Sequence, residues 1–213
     1  MTSQKLVILL HGAIFSARTW QVVGTLDALA DAGVRVLAPE MPGSANGLSG
    51  PRQSTAHRRS LLSALLHQLA WPHRALVVAA SAGGAVGSPF VFAHPERTAG
   101  YVSVAAVLDA PSDANSSSRP CPVPTLVLWG ELDSPARSEP TMSAFASAHR
   151  VIFPEAPHPC YVKDPASFNA LVLAFAGAGG LMDRLGIAGE GAARLPIAAD
   201  WSPPGLGKET YRK

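Results

Sequence analysis

Residues 76–84, Leu-Val-Val-Ala-Ala-Ser-Ala-Gly-Gly, place a serine directly after a short apolar run and directly before a stretch of small residues. Ser81 is flanked at a distance of two residues by Ala79 on one side and Gly83 on the other. A sharp turn from a strand into a helix requires small side chains at these positions, because the strand and the helix pass close together there. The usual form of this nucleophile elbow has glycine at both positions. The pattern predicts a turn that presents the Ser81 hydroxyl, but it needs support from the rest of the chain.

Similar apolar runs recur along the chain, with room for a helix between them. A run that is apolar on both faces is typical of a strand in a buried parallel sheet. The runs comprise residues 6–10, 34–38, 75–80, 101–107, 125–129 and 151–153. Strands and helices that alternate in this way predict the α/β class, with a mostly parallel central sheet, right-handed crossovers and helices on both faces.

The segments between these runs have the spacing of amphipathic helices. The first helix is expected to begin after Ser16, its N-cap, and to continue without interruption to Gly33. Leu62 and Leu66 lie on the apolar face of a second helix. Further helices are expected to begin near residue 82 and to cover about residues 141–148 and 165–176.

The chain is predicted to form one domain, residues 1–177, followed by a tail, residues 178–213. Of its 213 residues, 47% are hydrophobic and 15% are charged, which is enough apolar material for a full core. The helical period ends at Gly177, and Gly, Ala and Pro dominate beyond it, so we expect the tail to be poorly ordered.

Charge and composition exclude several classes of function. The formal net charge of +2 is too balanced for a protein that binds nucleic acid or a membrane surface. The five apolar residues before His11 are too few for a signal peptide or a membrane span. Cys121 and Cys160 lie too far apart for a zinc ribbon, the histidines have no metal-ligand spacing, and no glycine-rich phosphate motif occurs. We therefore expect a soluble monomer that uses no metal or cofactor.

A serine hydroxyl becomes a good nucleophile only when a base takes its proton and a third group orients that base. Asp133 follows the run 125–129 on a short loop, and His158 follows the run 151–153 on another. The carboxyl ends of parallel strands converge at one edge of a sheet, and the order serine, acid, histidine is the one found after such an elbow. The sequence therefore predicts a catalytic triad of Ser81, Asp133 and His158.

The first apolar run ends in His11-Gly12-Ala13-Ile14, which supplies a candidate oxyanion hole. The backbone N–H groups of Ala13 and Ala82 are expected to face the negative charge that develops on the acyl oxygen. We expect His11 to hold this loop in place, and Ile14 and Phe15 to contact the substrate.

Other residues leave alternatives open. Asp109 or Asp113, which follow the run 101–107, could replace Asp133 as the acid. Cys160 is either a reactive thiol or a small buried residue under the histidine loop. The basic cluster 57–59 either binds an anion or forms the solvated face of its helix.

The chain resembles the α/β-hydrolase superfamily in the order of His11-Gly12, Ser81, Asp133 and His158. The stretches 9–20, 24–26 and 158–161 resemble, more narrowly, the α/β-hydrolase-domain-containing protein 14 group. Two departures from these patterns are Glu40, where such hydrolases often have Asp, and the small residues around the elbow serine.

The resemblance implies a serine hydrolase that acts through an acyl-enzyme on short acyl esters or related small acyl groups. It also implies a cytoplasmic or nuclear location and, as an alternative substrate, acyl-lysine in a peptide or protein. A protein-interaction module on a hydrolase scaffold is a second class of function. Residues 108–120 are rich in Ser and Pro and have no apolar stripe, so we expect a minimal fold without a lid domain.

Overall fold

The fold is known from a computed structural model that describes residues 5–41, 54–110 and 120–177, together with the backbone of Ala193–Arg194. The strands are β1 (Leu6–Leu10), β2 (Arg35–Leu37), β3 (Ala75–Ala80), β4 (Thr98–Val104), β5 (Thr125–Gly130), β6 (Ala148–Phe153) and β7 (Ala193–Arg194). The helices are α1 (Arg18–Val22), α2 (Thr25–Asp31), α3 (Thr55–Gln68), α4 (Gly84–Ala93), α5 (Glu139–Ala144), α6 (Cys160–Lys163) and α7 (Pro165–Gly177).

The strands form a seven-stranded sheet in the order β2-β1-β3-β4-β5-β6-β7, and each neighbouring pair is parallel. Alternate side chains of a strand point to opposite faces, so Val7 and Leu9 pack on one side while Ile8 and Leu10 pack on the other. Helices α1, α2 and α7 cover the first face, and α3 and α4 cover the second. The predicted α/β architecture is confirmed.

The expected first helix is interrupted, so that prediction was wrong. Gly24 has φ +73, in the left-handed region, and it separates α1 from α2. Glycine adopts this conformation without a steric penalty, which ends α1 and redirects the chain. Ser16 does not cap α1 with its side chain, because the residue before α1 is Ala17.

The helix expected at about residues 141–148 begins earlier and ends at Ala144. Phe145 is extended and forms a bridge with Cys121, and its ring packs against Phe92 and Tyr101 with centroid distances of 5.1 and 5.6 Å. Tertiary contacts therefore override the helical pattern at this point.

The predictions for the tail and for the lid segment fall mostly outside the described residues. Of the tail, the structure describes Ala193–Arg194, which pairs in parallel with Val151–Ile152 at the edge of the sheet. Of the segment 108–120, it describes the two ends, which contain no helix. None of the helices in the described part of the chain is long and apolar enough to cross a membrane.

Candidate active site

The strand-to-helix turn at Ser81 has the strained geometry that its sequence predicts. Strand β3 ends at Ala80, a 3₁₀ turn covers Ser81–Gly83, and α4 begins at Gly84. Ser81 has φ +48, a conformation that costs a residue with a side chain about 1–3 kcal/mol. The N–H of Val107 donates to the backbone oxygen of Ser81 at 2.8 Å and helps to hold the turn.

Small residues allow this turn to approach the neighbouring strand. A Cβ atom on Gly83 would lie 2.5 Å from the backbone oxygen of Leu10, so only glycine fits at that position. Ala79, which replaces the usual first glycine, is fully buried. Its methyl group faces Gly87 of α4, where an added Cβ would lie 3.1 Å away. Gly87 of α4 therefore leaves room for the Ala79 methyl group, so the strand does not need the usual glycine at this position.

The structure brings Ser81, His158 and Asp133 into one hydrogen-bonded chain. His158 Nε2 lies 2.9 Å from Ser81 Oγ, and His158 Nδ1 lies 2.6 Å from Asp133 Oδ2. A carboxylate only accepts hydrogen bonds, so in the neutral ring the Nδ1–H donates to Asp133 and Nε2 accepts from the Ser81 hydroxyl. The side chain of His158 is 33% exposed and that of Asp133 is 9% exposed. This arrangement can transfer a proton from the serine to the imidazole.

Neighbouring groups fix the position of Asp133. The N–H of Ser134 donates to Asp133 Oδ1 at 2.8 Å, and Trp129 Nε1 donates to the backbone oxygen of Asp133 at 3.3 Å. The Arg150 guanidinium lies over the Trp129 ring at 5.0 Å from its centroid. Trp129 and Arg150 were not singled out from the sequence, because their roles depend on how strands β5 and β6 pair.

The alternative acid, Asp109, binds a different partner. Its Oδ1 accepts from the Arg59 guanidinium at 3.0 Å, and its backbone N–H donates to Ser88 Oγ at 2.8 Å. The geometry therefore favours Asp133 over Asp109 as the partner of His158, while Asp113 lies outside the described residues. Arg59 belongs to the basic cluster 57–59, and its ion pair with Asp109 ties α3 to the segment after β4.

The loop after β1 lies against the serine. The N–H of Phe15 donates to the backbone oxygen of Gly12 at 3.1 Å, which closes a tight turn around Ala13. The Ala13 N–H has no hydrogen-bond acceptor within the part of the chain that the structure describes. Ala82 is the second residue of its 3₁₀ turn, where a backbone N–H has no acceptor in the turn itself. Both amides can therefore donate to a substrate oxygen.

His11 is buried and joins this loop to the residues after β2. Its Nδ1 lies 2.9 Å from the backbone oxygen of Gly12, and its Nε2 accepts from the N–H of Met41 at 2.9 Å. Glu40 Oε1 lies 3.0 Å from the same nitrogen, and Glu40 Oε2 accepts from the N–H of Ala17 at 3.0 Å. These contacts support the structural role expected for His11. They also show that Glu40 and Met41 help to hold the loop after β1 in place.

The two residues expected to contact substrate lie in different environments. Ile14 is 56% exposed, next to Ala13, whereas Phe15 is mostly buried and packs edge to face against Tyr161 with a centroid distance of 6.0 Å. Ile14 is therefore the better placed of the two to touch a substrate.

Exposed apolar side chains occur on the segments that carry the site residues. Of the four large apolar side chains exposed in the described part of the chain, Leu69 alone lies on an element away from the site. The other three are Ile14, Val107, whose N–H binds Ser81, and Leu132, which precedes Asp133. We refer to Ile14, Val107 and Leu132 as the apolar rim. The sequence did not reveal Val107 and Leu132, because apolar residues give no local indication that they stay exposed.

Cys160 is fully buried at the start of α6, two residues after His158. Burial raises the pKa of its thiol well above the ordinary value, and the charges of Asp133 and Asp164 raise it further. The thiol is therefore neutral at physiological pH, which favours a packing role over a reactive one.

Comparison with known proteins identifies relatives of the chain. The sequence model of the Alpha/beta hydrolase family matches residues 7–119. Protein ABHD14A of Mus musculus is 30% identical over 171 residues, which cover 79% of this chain and 69% of that protein. The human protein named "Putative protein-lysine deacylase ABHD14B" is 31% identical over 174 residues, which cover 79% of this chain and 81% of that protein.

Solved structures share the same fold at lower sequence identity. A protein from Thermoplasma acidophilum described as a "predicted CIB-like hydrolase" superimposes with a TM-score of 0.71 at 22% identity, over 83% of this chain and 88% of that one. The naproxen esterase of Bacillus subtilis superimposes with a TM-score of 0.64 at 17% identity, over 82% and 84% of the two chains. At these identities the likeness is one of fold.

Proposed function

Because the chain belongs to the alpha/beta hydrolase family and is related to the ABHD14 proteins, we propose that it is a serine hydrolase with Ser81, His158 and Asp133 as its catalytic triad. The observation that carries this proposal is the continuous hydrogen-bonded chain from Ser81 Oγ through His158 to Asp133, with distances of 2.9 and 2.6 Å. The serine lies in a strained turn at the end of a buried strand, which supports its role as a nucleophile.

The proposed reaction has two halves. Ser81 Oγ forms a bond to the acyl carbon while its proton passes to His158 Nε2. The imidazolium then gives that proton to the leaving-group oxygen or nitrogen as its bond to the acyl carbon breaks, which leaves the acyl group on Ser81. A water molecule loses a proton to His158 and attacks the acyl carbon. His158 then returns that proton to Ser81 Oγ as the bond between Oγ and the acyl carbon breaks, which releases the acid and the free serine.

Asp133 and two backbone N–H groups lower the barrier further. Asp133 holds the imidazole in the tautomer that accepts from Ser81 and stabilises the imidazolium that forms. The N–H groups of Ala13 and Ala82 are proposed to donate to the oxyanion of the tetrahedral intermediate. The contact between Gly12 and Ser81 supports this assignment, because it brings the loop that carries Ala13 to the nucleophile.

We propose short acyl esters as the substrate class, with the acyl group in contact with the apolar rim. Ile14, Val107 and Leu132 are exposed, so they offer a shallow apolar surface to a substrate. A shallow surface leaves the leaving group open to solvent, so leaving groups of different sizes fit, including the lysine side chain of a peptide.

A protein-lysine deacylase activity is the second candidate. It is favoured by the relationship to ABHD14B, whose name carries that activity and 81% of whose length this chain covers. The same triad would cleave an amide if His158 protonates the leaving lysine amine. The two candidates differ in the bond cleaved, so one panel of substrates distinguishes them.

The test is labelling by a fluorophosphonate, followed by mass spectrometry of the labelled peptide. We expect one label on Ser81, none in Ser81→Ala, and unchanged labelling in Ser143→Ala, since Ser143 is an exposed helix serine that binds backbone oxygens of its own helix. Turnover of acyl esters and of acyl-lysine peptides then assigns the bond. A wild-type protein that neither takes the label nor turns over any member of the panel would contradict the enzyme and favour an interaction module.

A further inference from the structure

The loop that carries His158 begins with a strained turn. The N–H of Ala156 donates to the backbone oxygen of Phe153 at 3.4 Å, which closes a four-residue turn with Pro154 and Glu155 at its centre. Glu155 has φ +51. Turns with proline second and a positive φ third strongly favour glycine or asparagine at the third position, so a glutamate there is under strain.

The side chain of Glu131, on the loop that carries Asp133, offsets the strain at Glu155. The N–H of Glu155 donates to Glu131 Oε2 at 3.1 Å. Backbone hydrogen bonds join the same two loops, from Glu131 N–H to Phe153 at 2.9 Å and from Leu132 N–H to Ala156 at 3.0 Å. These three hydrogen bonds join the loop of Asp133 to the loop of His158. Two of them are between backbone groups, and the third uses the Glu131 carboxylate.

The turn determines where His158 lies. After Glu155 the chain passes directly over Gly130, and a Cβ atom on Gly130 would collide with the backbone oxygens of Ala156 and Pro157. His158 then reaches Asp133 on one side and Ser81 on the other. The imidazole nitrogens lie 2.6 Å from Asp133 Oδ2 and 2.9 Å from Ser81 Oγ, so a small displacement of the turn would lengthen both hydrogen bonds.

We propose that Glu131 is a positioning residue for the reaction: its carboxylate holds Glu155 in the left-handed conformation and thereby fixes His158 between Asp133 and Ser81. This inference rests on the proposed serine hydrolase function. In this role Glu131 acts through the backbone N–H of Glu155 rather than on the reacting atoms.

The experiment compares variants of Glu131 and Glu155 on an activated short ester, with active sites counted by fluorophosphonate labelling of Ser81. We expect Glu131→Ala to lower kcat per labelled site by about tenfold with KM nearly unchanged, because misplaced catalytic groups slow the chemical step. Glu131→Gln keeps an oxygen that accepts from the Glu155 N–H, so it should retain most of kcat.

The decisive variant is the double substitution Glu131→Ala with Glu155→Gly. Glycine adopts a positive φ without strain, so the turn should form without the carboxylate and kcat should recover. The matched control is Glu131→Ala with Ala70→Gly. Ala70 has φ +46 just after α3, so glycine there relieves the same kind of strain far from the site and should raise the melting temperature without restoring kcat.

The outcomes separate the inference from the proposed function. Wild-type kcat in Glu131→Ala, in a protein that Ser81→Ala inactivates, would overturn the positioning role and leave the serine hydrolase intact. Equal rescue by Glu155→Gly and Ala70→Gly would also overturn it, because stability alone would then explain the loss. A wild-type protein with no label on Ser81 would overturn the proposed function itself.

Discussion

Gly12 lies directly against Ser81: a Cβ atom added to Gly12 would be 3.3 Å from the Cβ atom of Ser81. The contact follows from the sheet order, in which β1 and β3 are neighbours and pair in parallel from Leu6↔Ala75 to Leu10↔Ala79. Their carboxyl ends therefore meet, and the loop after one strand covers the turn after the other. The position of the proposed oxyanion hole relative to the nucleophile is thus determined by the pairing of β1 with β3.

The first prediction concerns the choice between two acids. Asp133→Asn should lower kcat on an activated short ester by about 10⁴-fold, because the amide favours the wrong tautomer of His158. Asp109→Asn is the matched control, since Asp109 pairs with Arg59, and it should leave kcat within about twofold because surface pairs contribute little. The measurement is kcat for both variants. The reverse order of effects would assign the acid to Asp109.

The second prediction concerns pH. His158 must be neutral to accept the proton of Ser81, so kcat/KM should rise with pH. Histidine is the side chain whose charge ordinarily changes between about pH 5 and pH 8, so kcat/KM is measured across that range. The measurement uses an uncharged ester under conditions in which chemistry limits the rate. A profile that stays flat across this range would exclude His158 as the base.

Much of the fold was predictable because the central strands are bounded by clear changes in the sequence. The apolar runs at residues 6–10 and 75–80 end at a polar or strained residue, and both strands were predicted with their observed bounds. The first helix was predicted as one element because its apolar spacing continues through Gly24. The interruption depends on a single left-handed residue within that pattern.

The candidate site was predictable to the extent that each residue follows a strand. Ser81, Asp133 and His158 do, and the structure places them within hydrogen-bonding distance of one another. The supporting contacts were not predictable from the sequence. Glu40 at His11 and Glu131 at Glu155 join segments that are distant in the chain, and such pairs become apparent only when the strands are paired.

The third prediction concerns the loop crossing over Gly130. Gly130→Ala should lower the free energy of unfolding by about 1–3 kcal/mol, because the added methyl group collides with backbone rather than with a flexible side chain. It should also lower kcat, since the displaced loop carries His158. Gly177→Ala is the control, because a Cβ at Gly177 meets no atom within 4 Å among the residues that the structure describes. Denaturant unfolding and ester hydrolysis measure the two effects, and wild-type values for Gly130→Ala would contradict the crossing.

The fourth prediction concerns the cysteines. Both thiols are buried, and burial raises the pKa of Cys121 and of Cys160 above the ordinary value. A raised thiol pKa leaves less thiolate at a given pH, so alkylation by iodoacetamide at about pH 8 should be slow in the folded protein. The same reagent should modify both cysteines after denaturation. Rapid alkylation of Cys160 in the folded protein, with loss of activity, would reopen its assignment as a reactive thiol.

The last prediction concerns the length of the acyl chain. A methylene that is fully removed from water contributes about 0.8 kcal/mol, but the exposed apolar rim can cover only one side of a chain. We therefore expect kcat/KM to be highest for acetyl to butyryl esters in a straight-chain series measured below micellar concentrations. Ile14→Ser should lower kcat/KM for these esters, whereas Leu69→Ser, a change at an equally exposed leucine away from the site, should have no effect. A maximum at eight carbons or more would require a deep apolar channel and would contradict the short-acyl assignment.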